Sequence, residues 1–184
     1  MKKLYTLLLF VFIVIAAITE QGCDILNNLF LDQPLKQTIK TEGSSNDIKE
    51  IKTFSLSDYD AFDDNIENIV GITYMSAAYF TETYSDSLTG KNIIVTLYAG
   101  FDDSGPVVWS VTIPFGQASD YVKKPYKIKL TPDEIAEFNR YLADYEKNDT
   151  YTAELKVESV NDDDGPPYSL TGRIEIIVQM EMKP

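Results

Sequence analysis

Val70-Gly71-Ile72-Thr73-Tyr74-Met75-Ser76-Ala77-Ala78-Tyr79-Phe80-Thr81 is the stretch that decides the fold. Val70, Ile72, Tyr74, Ser76, Ala78 and Phe80 alternate with Gly71, Thr73, Met75, Ala77, Tyr79 and Thr81, the period of two that an extended chain imposes. β-Branched, aromatic and small residues fill both phases, so the segment reads as a long strand with two fairly apolar faces, central in its sheet.

Strand signals continue on both sides of it. Residues 92–99 set Ile93, Val95 and Leu97 against Ile94, Thr96 and Tyr98, and the turn chemistry of Gly100 to Pro106 joins them to a strand over 107–113 that Pro114 ends. Tyr126, Ile128 and Leu130 form one apolar face of a short strand, and residues 151–158 alternate Tyr151, Ala153, Leu155 and Val157 with a wet face of Thr152, Glu154, Lys156 and Glu158. The last strand, 168–182, puts Ile174, Ile176, Val178, Met180 and Met182 in one phase and is long enough to span a sheet. Upstream, a looser alternation through 33–41 around Leu35 and Ile39, then a run over 48–56, add two more strands. Tyr59, Phe62 and Ile66 recur at helical spacing among Asp58, Asp60, Asp63 and Asp64, which predicts a helical turn with acids at its start.

Thr131-Pro132-Asp133-Glu134 is the sharpest local signal. Thr131 and Glu134 have the spacing of a reciprocal capping box, and Pro132 falls at the first helical position, where its missing donor costs nothing. The helix that begins there carries Ile135, Phe138, Leu142 and Tyr145 on one stripe, packs that stripe on a sheet and ends near Asn148-Asp149. Together these elements predict an immunoglobulin-like antiparallel β-sandwich of about seven or eight strands with one inserted amphipathic helix, or a closed β-barrel as the alternative. Tyr168-Ser169-Leu170-Thr171-Gly172 ahead of an apolar strand resembles the water-stress and late-embryogenesis type of sandwich over that stretch alone.

The first residues carry an address. Lys2 and Lys3 precede an apolar run from Leu7 to Ile18, and a short polar segment leads to Gly22-Cys23, which holds the one cysteine of the chain. This resembles a bacterial lipoprotein signal, with Glu20-Gln21 replacing the apolar and small residues that normally precede the Gly-Cys pair. The resemblance implies a signal peptide over 1–22, lipidation of Cys23, a tether over 23–32 and a folded domain over 33–184. It also implies a domain exported to the periplasm or cell surface and held to the membrane by its lipid. An uncleaved membrane anchor and full secretion are the competing readings of the same residues.

Composition narrows the chemistry. The chain has net charge −13, and loss of Lys2, Lys3 and Glu20 with the signal leaves −14. Such a balance opposes nucleic acid and anionic lipid surfaces, which recruit Lys and Arg. With no histidine, Ser-His-Asp devices and the usual His-containing zinc sites are excluded, and no phosphate-binding glycine loop is present. The expected function is therefore a non-catalytic, lipid-anchored envelope module, or an exported Ca²⁺- or carbohydrate-binding domain, with no cofactor other than Ca²⁺ and a protein or glycan partner unspecified. Asp102, Asp103, Asp162, Asp163 and Asp164 in two Asp-rich turns are the candidate calcium ligands, although counting back from Gly105 and Gly165 gives no EF-type loop. Aspartate also serves turns for its own sake. Tyr79, Tyr84, Tyr98, Trp109 and Tyr121 are candidates for a sugar-binding platform, or else for core and cross-strand pairs.

Overall fold

A computed structural model describes residues 29–183. The alternating segments form eight strands: β1 (Leu29–Gly43), β2 (Ile48–Ser55), β3 (Ile69–Tyr84), β4 (Asn92–Ala99), β5 (Val107–Pro114), β6 (Tyr126–Ile128), β7 (Thr150–Glu158) and β8 (Tyr168–Met182). One long helix, α1 (Pro132–Ala143), lies between β6 and β7. All strand pairs are antiparallel and make two four-stranded sheets, in the orders β1-β8-β3-β6 and β2-β7-β4-β5. The expected all-β sandwich with one amphipathic helix is what forms, and the sheets do not close into a barrel. Its winding is that of an eight-stranded jelly roll, in place of the order that defines an immunoglobulin sandwich.

The inner faces follow the pleat. Leu35, Gln37, Ile39 and Thr41 of β1 and every even residue of β8 are buried, facing Tyr151, Ala153, Leu155 and Val157 of β7 and Ile93, Val95 and Leu97 of β4. The folded region begins earlier than residue 33: Leu29–Asp32 pair with Met182–Gln179, so the expected tether supplies the first rungs of β1. The signal peptide and Cys23 lie outside the described residues.

β3 corrects the reading of its own pattern. Its register against β8 shifts between Ile69 and Gly71, Tyr74 and Ser76, and Thr81 and Thr83. Each shift inserts an unpaired residue and reverses the phase. Ile72 and Tyr74 therefore face the core before the second shift and Ala77 and Tyr79 after it, while Met75 is left half exposed. The two apolar faces seen in the sequence are one face interrupted by bulges.

The sandwich is closed at both sides. On one, Lys52 Nζ donates to Thr38 O at 3.3 Å, the Tyr59 hydroxyl donates to Lys36 O at 3.4 Å, and Pro34 removes a donor from the edge of β1. On the other, α1 bridges the two sheets. Asn139 Oδ1 accepts from Tyr74 N–H at 2.8 Å on β3, the Phe138 ring lies 5.6 Å from Tyr74 of β3 and 5.8 Å from Tyr151 of β7, and just past the helix the Tyr145 hydroxyl donates to Ile69 O at 3.0 Å. Beyond Ala143 the helix unwinds into turns, and the expected end near Asn148 falls within them.

Candidate functional site

Where β5 ends, residues Ala118–Tyr121 make one 3₁₀ turn. Gln117 N–H donates to Asp120 Oδ2 at 3.0 Å, closing the box that starts the turn and fixing the direction of Tyr121. The Tyr121 hydroxyl donates back to Pro114 O, and its ring stands edge-on to Tyr79 at 6.0 Å and to Tyr126 at 5.7 Å. Burial and then the Asp120 carboxylate hold the Tyr121 phenol above its ordinary pKa. Tyr126 opens β6, whose pairing with Ala77–Tyr79 of β3 buries Ile128 and turns Lys127 and Lys129 outward on either side of it. Asp120, Tyr121, Lys124, Pro125, Tyr126 and Lys127 line an open cleft of about 580 Å³.

This cleft carries an unusual charge for the chain. Lys123, Lys124, Lys127 and Lys129 are all exposed, and among the described residues none is in ion-pair contact with a carboxylate. Lys36, Lys40, Lys49, Lys147, Lys156, Arg140 and Arg173, by contrast, each stand within 4.0 Å of a carboxylate oxygen. Net charge hides the strip, because four lysines in seven positions disappear in a sum of −13. A running charge count along Tyr121-Val122-Lys123-Lys124-Pro125-Tyr126-Lys127-Ile128-Lys129 finds it.

The candidate calcium ligands do not converge. Ala99 pairs with Tyr151 and Asn92 with Glu158, so the turn after β4 and the turn after β7 lie at opposite ends of one strand length, about 24 Å apart. Asp103 Oδ2 lies 3.1 Å from Lys49 Nζ. Asp102 Oδ1 accepts from the hydroxyl and backbone of Ser104, at 2.5 and 2.9 Å, which holds its pKa below the ordinary carboxylate range. Asp162 is depressed likewise, first by the Ser87 hydroxyl at 2.6 Å and then by Asp164 N–H at 3.1 Å. Asp163 and Asp164 are exposed in the same turn. Among the described residues no group of three His, Cys, Asp or Glu side chains is placed to hold a metal ion. The expected result is an equal thermal midpoint in calcium and in chelator; a higher midpoint with calcium would show binding to the folded state.

The five candidate rings form no common platform either, although Tyr79 and Tyr121 meet edge-on. Tyr79 and Trp109 are 0 % and 1 % exposed and belong to the core, Tyr84 and Tyr98 are partly buried apart from each other, and Tyr121 alone reaches the cleft.

No protein-family model and no curated relative matches the chain. Solved structures similar to it include virus particles. Desmodium yellow mottle tymovirus is 8 % identical, covering 85 % of this chain and 89 % of its own, with a TM-score of 0.42. The mud crab tombus-like virus is 10 % identical over 89 % and 84 %, at 0.40. The semi-empty VLP of the giant freshwater prawn Macrobrachium rosenbergii nodavirus is 13 % identical over 89 % and 97 %, at 0.39. These neighbours stand where the sequence reading expected bacterial envelope proteins, and the lipid-anchored envelope module, its Ca²⁺- or carbohydrate-binding alternative and its periplasmic or cell-surface location are corrected accordingly. At such scores the likeness assigns the chain no role of its own, and the jelly-roll assignment rests on strand order.

Proposed function

We propose that the chain is a non-catalytic jelly-roll module whose working surface is the lysine-rich tyrosine cleft beside β6, and that its ligand class is an acidic polypeptide segment. One observation supports this reading above others: in a chain of net charge −13, Lys124 and Lys127 line the cleft with two tyrosines and a single acid, Asp120, and Lys123 and Lys129 adjoin them in sequence, all four lysines exposed and without carboxylate partners among the described residues. Like charges side by side repel, so their grouping is relieved when an anionic segment arrives. The tyrosines add an apolar floor at low cost in conformational entropy. A long nucleic acid is the poorer fit, because the rest of the surface repels an extended polyanion, whereas a short acidic segment meets the strip alone.

Retention on immobilised poly-glutamate tests the reading. The wild-type chain is expected to be held at low salt and released as the Debye length falls from roughly 30 Å at 0.01 M to about 8 Å at 0.15 M. Replacing the four lysines together (Lys123→Ser, Lys124→Ser, Lys127→Ser, Lys129→Ser) is expected to abolish retention without moving the melting midpoint, since these side chains make no ion pairs. Flow-through of the wild type, retention of the variant, or tighter retention on a single-stranded oligonucleotide would each overturn the proposal.

A further inference from the structure

Resting on that reading, we infer that the acidic segment taken by the cleft is residues 58–67 of a second copy of this chain. Asp58, Asp60, Asp63, Asp64 and Glu67 are all exposed there, and none is in ion-pair contact among the described residues. Ile66, 43 % exposed, stands in their midst. The segment thus sets an exposed apolar side chain among carboxylates, and the cleft sets two tyrosines beside Lys124 and Lys127, with Lys123 and Lys129 next to them in sequence and Asp120 the one acid in its lining.

The segment is also held in shape before any encounter. Leu56 and Phe62 are 1 % and 2 % exposed, the Phe62 ring meets Tyr145 edge-on at 5.7 Å, and Ser55 N–H donates to Asp58 Oδ2 at 2.8 Å. A preformed projection loses little conformational entropy on docking.

One molecule cannot satisfy both surfaces by itself. The segment runs into Ile69 at the start of β3, whereas β6 joins β3 at Ala77. Eight residues of strand separate them by about 26 Å, against a screening length of about 8 Å at physiological salt. Donor and acceptor surfaces differ, so the contact between copies is heterologous and runs head to tail, giving a ring where the rotation closes and a filament where it does not.

Sedimentation of the full chain tests this. Association is expected to be at least about tenfold stronger at 0.01 M than at 1 M salt. A cleft-reversed variant (Lys123→Glu, Lys124→Glu, Lys127→Glu, Lys129→Glu) and a segment-reversed variant (Asp60→Lys, Asp63→Lys, Asp64→Lys, Glu67→Lys) are each expected to sediment as single subunits at low salt. Mixed one to one, they are expected to associate again, because each restores the charge contrast the other lost. Association through the apolar run of residues 7–18 would ignore these swaps and resist high salt; that outcome overturns the inference. Retention of the wild type on poly-glutamate with no self-association also overturns it while leaving the module reading in place, and loss of both removes that reading too. If one variant fails to fold, the other variant and the salt series of the wild type still decide.

Discussion

Phe138→Ala is expected to cost about 3 to 5 kcal/mol of stability and Leu142→Ala about 2 to 5, measured as shifts in the urea midpoint of the full chain. Phe138 is 1 % exposed and Leu142 0 %. The Phe138 ring stands 5.6 Å from Tyr74 of one sheet and 5.8 Å from Tyr151 of the other, so its removal opens a cavity where the sheets and the helix meet. The hydrogen bond that Asn139 accepts from Tyr74 N–H, and the one that Tyr145, just past the helix, donates to Ile69 O, hold α1 against β3, which limits how far it can settle into the space. Thr131→Ala provides the contrast. Its Oγ1 accepts from Glu134 N–H at 3.3 Å at an exposed helix start, and loss of that cap is expected to cost about 1 kcal/mol. A helix held loosely as an exposed docking element would reverse the order, with Thr131→Ala the most damaging of the three. Equal midpoints for Phe138→Ala and wild type would show that α1 does not seal the sandwich.

These residues also mark where sequence was informative. The Thr131–Glu134 box and the Pro132 position define the start of α1 because the signal is local: the groups that satisfy the first helical donors lie within four residues. The alternation of β8 is legible for a similar reason, since it keeps one phase throughout, whereas β7 keeps only its apolar phase: Thr152 and Glu154 of its expected wet face are buried too, Thr152 donating to Gly100 O and Glu154 accepting from Lys49. β3 misleads because bulges change phase without altering composition; Met75 looks like a strand residue wherever it stands. The jelly-roll order was out of reach, because the pairing of Ile39 with Gly172, 133 positions on, leaves no mark in either segment. The cleft leaves no mark in the net charge for a different reason: that sum runs over the whole chain, while charge acts over a Debye length.

Gly172→Ala is expected to cost about 3 kcal/mol, the upper part of the range for forcing extra volume into a full core. Gly172 sits in β8 between Ile39 of β1 and Thr81 of β3, at an inward position. A methyl group there would lie 2.6 Å from Tyr79 Cε2, 2.8 Å from Leu155 Cδ2 and 2.9 Å from the Tyr79 hydroxyl oxygen. Neither neighbour yields easily. Tyr79 and Leu155 are both 0 % exposed, and the Tyr79 ring is held by its hydroxyl's hydrogen bond with Thr81 Oγ1 at 3.3 Å and by edge contact with Tyr121. The glycine is therefore the space that the tyrosine occupies, and Tyr79 in turn supports the Tyr121 wall of the cleft. Gly71→Ala is the matched control, because a methyl group there meets only Glu181 Oε2 at an ordinary 3.6 Å; it is expected to be neutral or to stabilise by up to about 1 kcal/mol through the unfolded chain. Adding Tyr79→Leu to Gly172→Ala should recover part of the loss, since residues in contact do not add independently. Urea midpoints of the four variants, with Tyr79→Leu alone as the fourth, measure that coupling. If Gly172→Ala and Gly71→Ala shift the midpoint alike, the Tyr79 ring moves aside freely, and the link from the strand glycine to the cleft wall is broken.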